Sequence, residues 1–275
     1  MKKVDRLGWA VGFSLKTYGI RVGVRLNDPA SLKRVCDHLP AEWERSSSPI
    51  VDRLYSIIIG GQDRRNVRRF NLLYGDHVRL ARSAEADDVF DTFESDLRLT
   101  VAEFARYCVF VHAGVVGWKG KAIVIPGRSY SGKSTLIAEL VRAGATYYSD
   151  EFAVFDSQGR VHPFKKALEL RRPGEFKQAR FDVAQLGGQA GRKPLPVQLV
   201  VLTHYRKDAR WRPRRLSGGL GILQLFSNTV SARRSPDKAL SALQHLAHTA
   251  EFLKGPRGEA SELVQAILVR AERKK

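Results

Sequence analysis

"KAIVIPGRSYSGKSTLIAELVRAG", Lys121–Gly144, decides how this chain is read. Ala122–Ile125 form a short apolar run of β type, and Gly127 opens a turn rich in small residues. Leu136, Ile137, Leu140 and Val141 then recur at helical spacing, and Gly144 stands where a helix C-terminal cap is expected. Between strand and helix, Gly127, Gly132, Lys133 and Ser134 fit G-x-x-x-x-G-K-[ST] in full. Glycines let backbone N–H groups converge on phosphate oxygens, and the N-terminus of the following helix adds partial positive charge. A lysine in that first turn is otherwise unfavourable beside the positive end of the helix. An ordinary strand–helix turn therefore does not account for Lys133. Gly127, Arg128, Ser129, Tyr130, Ser131, Gly132, Lys133, Ser134 and Thr135 are the expected cradle of ATP. Lys133 would reach the β- and γ-phosphates and the Ser134 hydroxyl would ligate Mg2+.

Moving outward, "ATYYSDEFAVFD" reads as a strand ending in carboxylates. Its Asp150 and Glu151 follow Lys133 by one helix and one strand, which puts both at the sheet edge above the glycine turn. Adjacent carboxylates there suit metal binding by one and deprotonation of an acceptor hydroxyl by the other. Upstream, "CVFVHAGVV" is a second apolar β run, joined to the first by the turn "GWKGK". Downstream, "VHPFKKALELRRPG" leads into a loop, and two helical patterns close the chain, "SPDKALSALQHLAHTAEFL" and "GEASELVQAILVRAERK".

The first hundred residues read differently. "WAVGFSLKTYGIRVGVRLND" alternates around Gly19 as a β-hairpin does, and "DPASLKRVCDHLP" is a short helix stopped by Pro40. "RLYSIIIGG" and "RRFNLLYGDHVRLARS" are further strands. Val89, Phe90, Phe93, Leu97, Val101 and Phe104 mark one face of a helix. The expected organisation is α/β, with a smaller N-terminal α+β domain over 1–104, for substrate or partner binding, and an ATP-binding catalytic domain over 105–275.

Composition bounds the class. The chain has 275 residues, 43% hydrophobic and 27% charged, an ordinary globular profile with ample core. No apolar run approaches the roughly 18–20 residues of a membrane-spanning helix, so no membrane partner is expected. The N-terminus does not read as a signal peptide. Cys36 and Cys108 lack metal-ligand spacing and read as free thiols in a reducing cytoplasm. The net charge of +19 fits either a polyanion partner or a solvated basic surface. Its densest stretch, "YRKDARWRPRR" (Tyr205–Arg215), carries arginine and tryptophan but no nucleic-acid-binding signature accompanies it. Nucleic acid is therefore not the expected partner.

The segment from His112 to Asp156 resembles the catalytic core of the HPr kinase/phosphorylase family and its divergent relatives. That nucleotide core is in turn similar to that of phosphoenolpyruvate carboxykinase. The likeness rests on His112 with Gly114, on the turn Gly127–Thr135, and on the pair Asp150-Glu151. It implies that Asp150 is the general base, that Glu151 helps hold metal, and that His112 and Lys133 sit beside the reacting phosphate. "ELRRPG" matches a further family signature in part, which would add Glu169 to the metal ligands; a surface ion pair is the plainer reading of that residue. The family usually carries two aspartates where this chain has Asp150-Glu151, so the chain resembles a relative rather than an HPr kinase itself. The resemblance implies an ATP- and Mg2+-dependent kinase acting on a hydroxyl, a serine of a peptide or protein or free serine, with an acidic acceptor suited to the basic surface. A non-catalytic ATP-binding module and a basic nucleic-acid-associated ATPase are the rival classes. A homo-oligomer remains open.

Overall fold

A computed structural model describes residues 3–61, 70–127, 131–164, 166–171 and 178–273. Arg128, Ser129, Tyr130, Arg172 and Pro173 lie outside these. Contacts divide the chain into two compact units, Met1–Tyr107 and Cys108–Lys275.

In the first unit, β1 (Val11–Thr17) and β2 (Ile20–Leu26) form an antiparallel hairpin. Its tight turn needs Gly19 at φ +85°, a region that costs a residue bearing a Cβ. Helix α1 (Leu32–Asp37) follows a 3-10 turn capped by Asp28, whose carboxylate accepts from the Ala30 amide. With β3 (Glu44–Ser46), β4 (Arg53–Ile58), β5 (Asn71–Gly75) and β6 (Val78–Ser83), the hairpin makes a six-stranded sheet in the order β3-β1-β2-β4-β5-β6. Helix α2 (Ala86–Phe104) buries Val89, Phe90, Phe93, Leu97 and Val101, the stripe its spacing dictates. Phe104 completes that pattern in sequence but is 38% exposed.

The second unit is built on one mixed sheet. Its strands are β7 (Val109–Trp118), β8 (Lys121–Pro126), β9 (Thr146–Ser149), β10 (Phe152–Phe155) and β11 (Arg160–His162). A two-stranded ribbon of β12 (Leu168–Arg171) and β13 (Gln178–Phe181) stands apart from the sheet. The sheet is completed by β14 (Leu195–Tyr205), β15 (Arg214–Leu216) and β16 (Glu251–Arg257), in the order β11-β10-β7-β8-β14-β16-β15, with β9 also on β7. β8, β14 and β16 run parallel; β7, β10 and β15 pair antiparallel.

Parallel strands are covered on both faces, so they read as unbroken apolar runs whose residues sort alternately. Ile123 and Ile125 of β8, Leu199 and Val201 of β14 and Leu253 of β16 face α3 (Lys133–Arg142) and the last helix. Ala122, Val124, Val200, Leu202 and Phe252 face the opposite way, against α4 (Gly218–Phe226), α5 (Pro236–Gln244) and α6 (Leu246–Thr249). The last helix, α7 (Ala260–Glu272), packs Leu263, Val264 and Ile267 beside α3.

Three expectations from sequence are corrected. "ATYYSDEFAVFD" is two strands, because β9 and β10 pair with successive parts of β7 and the chain steps between them at Asp150-Glu151. The Ser149 hydroxyl caps that step by accepting from the amides of Glu151 and Phe152. The stretch "VHPFKKALELRRPG", expected only to lead into a loop, also contributes β12. The long helix expected over 235–253 ends at Thr249, where Ala250 turns extended and Phe252 and Leu253 enter the sheet as β16. Among the described residues, no helix is long and apolar enough to cross a membrane.

Candidate functional site

The glycine turn sits where β8 gives way to α3. Its start is fixed by the Gly127 amide, which donates to the His112 carbonyl of β7 at 3.1 Å. Its end is Gly132, at φ +79°, whose carbonyl accepts the first helical bond from the Leu136 amide. A Cβ on Gly132 would meet both that left-handed strain and the guanidinium of Arg257. Among the described residues, the buried Ser131 hydroxyl has no hydrogen-bond partner, an orphan of the kind a bound ligand or water satisfies.

Asp150 is the centre of the polar network. It is 6% exposed. Its Oδ2 accepts from the Ser134 hydroxyl at 2.9 Å and from the Glu169 amide at 3.3 Å, and its Oδ1 accepts from the Tyr147 hydroxyl at 3.0 Å. Burial pushes its pKa above the ordinary carboxylate value, although nearby Lys166 and these three donors pull it down. Tyr147, buried beside the same carboxylate, is pushed up. The half-buried Lys133 has its pKa lowered by desolvation, against the opposing pull of Asp150 and Glu151. Burial and then Lys133 hold the His112 pKa below its ordinary value, against the opposing pull of Glu151. The His112 ring tilts against Phe152, centroids 5.0 Å apart. His112, Lys133, Ser134, Asp150 and Glu151 are thus brought to one end of the sheet.

Glu151 and Glu169 are bridged by Lys166, 2.9 Å from each. Glu169 also lies 3.4 Å from Arg180, so its carboxylate is held in ion pairs while its amide serves Asp150. Among the described residues, no group of three or more His, Cys, Asp or Glu side chains converges as a metal cage. The donors at hand are a hydroxyl and carboxylates. Such hard oxygens suit Mg2+, which is commonly held by one or two carboxylates and substrate phosphates rather than by protein alone. Because Ser134 spends its proton on Asp150, its lone pairs remain for a cation.

Sequence reasoning missed Tyr147, Lys166 and Arg257. Arg257 ends β16 and is 3% exposed. Its Nη2 donates to the Gly132 carbonyl and its Nη1 to the Gly258 carbonyl, both at 3.0 Å, while Nε has no partner among the described residues. Desolvation lowers its pKa, and among the described residues it makes no ion pair. Besides these carbonyls, the guanidinium lies over the Tyr205 ring, 5.7 Å from its centroid, and Glu259 acts on it electrostatically. The pattern "FLKGPRGEASELV", an apolar run, a glycine-flanked basic residue and a helix, carried that signal in sequence. Tyr147 and Lys166 had none, since only the β9–β10 step and the β12 ribbon bring them in.

No protein-family model matches the chain, and no curated protein matches it. Among solved structures, the Hpr(Ser) kinase/phosphatase from Coxiella burnetii is similar at 15% sequence identity and a TM-score of 0.36. The alignment covers 58% of this chain and 93% of that one. A likeness that loose assigns neither a fold family nor an activity.

Proposed function

We propose that the chain is an ATP- and Mg2+-dependent kinase that transfers the γ-phosphoryl group to a hydroxyl, with residues 127–135 as the phosphate cradle. The observation that carries this reading is the Ser134–Asp150 hydrogen bond of 2.9 Å, formed at the first turn of α3 beside Lys133 and His112. A P-loop hydroxyl hydrogen-bonded to a buried acid is what a phosphate-and-metal site requires, whereas a merely structural turn has no use for it. Lys133 and Arg257 would hold the phosphates. Ser134 and Glu151 would hold Mg2+, which when bound neutralises phosphate charge; Glu169 anchors Lys166.

Asp150 is assigned as the base. The acceptor oxygen forms its bond to the γ-phosphorus, the bond from phosphorus to the β-phosphate oxygen breaks, ADP leaves, and the hydroxyl proton passes to the carboxylate. A pKa raised by burial makes Asp150 a better proton acceptor than an exposed aspartate. The unit over 1–107 is assigned to partner or substrate binding.

One observation favours the non-catalytic alternative: both Asp150 oxygens already accept protein donors. Transfer of labelled γ-phosphate to serine, serine peptides and candidate carrier proteins separates the two. Asp150→Asn keeps shape but cannot take the proton, so labelling should fall by roughly 10²–10⁴ while ATP binding persists. Labelling undiminished in that variant would remove the base and most of this mechanism.

A further inference from the structure

The strands β8, β14 and β16 run parallel, and open α/β sheets take their ligands at the carboxyl ends of such strands. At that end β8 leads into the glycine turn. Tyr205 is the last residue of β14 and pairs in register with Arg257, the last of β16. Arg257 reaches from there to the Gly132 carbonyl, and its guanidinium lies over the Tyr205 ring. The Tyr205 hydroxyl donates to Glu259 at 2.9 Å, which fixes the ring, while 49% of the residue stays exposed. A pinned and half-open aromatic ring is thus tied to the phosphate cradle through one arginine. Trp211, nearby in the chain, is instead partly buried against the cluster around α3 and α7.

The strand order determines which end of a ligand meets that ring. β8 lies between β7 and β14. His112 and Asp150 belong to the β7 flank, since the strands on either side of Asp150 both pair with β7. Tyr205 and Arg257 belong to the opposite flank. The γ-phosphate and the base are the two ends of a nucleoside triphosphate, so one whose γ-phosphate faces Asp150 carries its base toward β14 and β16. The acceptor comes from the Asp150 side, because attacking and leaving oxygens stand roughly in line across the γ-phosphorus. Resting on the kinase reading above, we infer that Tyr205 is the platform on which the nucleobase stacks, with Glu259 as its positioning residue. Every base has a π-face, so what the platform separates is a nucleoside triphosphate from a bare polyphosphate.

The test titrates ATP and inorganic tripolyphosphate, each with Mg2+, into the full chain. Tripolyphosphate fills the cradle but carries no base, so the parent should bind ATP more tightly. Tyr205→Ala should weaken ATP by roughly five- to a hundredfold, the scale of one base–aromatic stack, and leave tripolyphosphate within about twofold. The retained tripolyphosphate affinity shows at the same time that the variant is folded. Tyr205→Phe keeps the ring and should keep most of the ATP affinity. ATP and tripolyphosphate bound equally by the parent, or weakened equally by Tyr205→Ala, would overturn the platform and leave the cradle standing. As large a loss of ATP in Tyr205→Phe as in Tyr205→Ala would place the effect in the bond to Glu259 and likewise overturn the stack. Binding of neither ligand by the parent would sink the kinase reading, and the platform with it.

Discussion

Asp150 is a carboxyl group in a place that penalises charge, and this has consequences for stability as well as rate. Its folded pKa is raised, so between the ordinary value near 3.8 and the folded value the native state binds more protons than the unfolded chain. Stability from this group is therefore lost as pH rises through that window. Asp150→Asn removes the penalty, and its melting temperature at neutral pH should equal or exceed the parent's, with the gap closing toward pH 4. A variant that melts well below the parent at pH 7 would show that the three hydrogen bonds outweigh desolvation. In the rate, the sign is opposite: the base works ionised, so transfer should fall as pH drops through the raised pKa, and this acidic limb should be missing from Asp150→Asn. Arg257 makes a companion test. Arg257→Met should weaken ATP binding by roughly ten- to a hundredfold, the worth of hydrogen bonds to a charged group, and Arg257→Lys should not restore it because a point charge lacks the guanidinium fork. Unchanged affinity in both would free Arg257 from the phosphate site.

At the scale of elements, the strand–turn–helix of β8 and α3 is the device that holds the site, and Gly132 is its hinge point. Gly132→Ala places a Cβ in the left-handed region, at a cost of about 1–2 kcal/mol. For a unit of this size that is a drop of several degrees in melting temperature. It also displaces Arg257 from the Gly132 carbonyl, so thermal loss and weaker ATP binding should appear together; loss of neither would contradict the geometry described. This element was legible from sequence because every local signal agreed: an apolar run, glycines, a hydroxyl and a helical stripe. The β1–β2 hairpin and α2 were legible for the same reason. β16 was not, because Ala250–Leu253 continues the apolar composition of the helices before it, and only pairing with β14 and β15 makes it a strand. The β9–β10 break was hidden likewise, being imposed by the register on β7 rather than by any turn residue at Asp150-Glu151.

At the scale of the molecule, both hydrophobic clusters of the second unit lie wholly within residues 109–271, one on each face of its sheet. A fragment over 108–275 should therefore melt cooperatively and bind an ATP analogue as the full chain does; a molten fragment would show that the core needs the first unit. The charge is divided unevenly, since residues 108–275 hold 29 of the 47 Lys and Arg but 13 of the 28 Asp and Glu. The exposed residues of Tyr205–Arg215 belong to that excess. DNA binding through them should be sequence-independent and fade steeply between roughly 50 and 200 mM salt, as counterion release dictates. Sequence-selective binding that survives the higher salt would promote a nucleic-acid role over phosphoryl transfer to a peptide. The claim on which the rest depends is that the turn between β8 and α3 holds a triphosphate. Calorimetric titration of ATP with Mg2+ into the full chain tests it without knowledge of the acceptor. One molecule of ATP should bind per chain, Lys133→Ala should weaken it by roughly ten- to a hundredfold, and Asp150→Asn should leave it within a few-fold. No heat of binding in the parent, or ATP bound equally well by Lys133→Ala, would contradict the account.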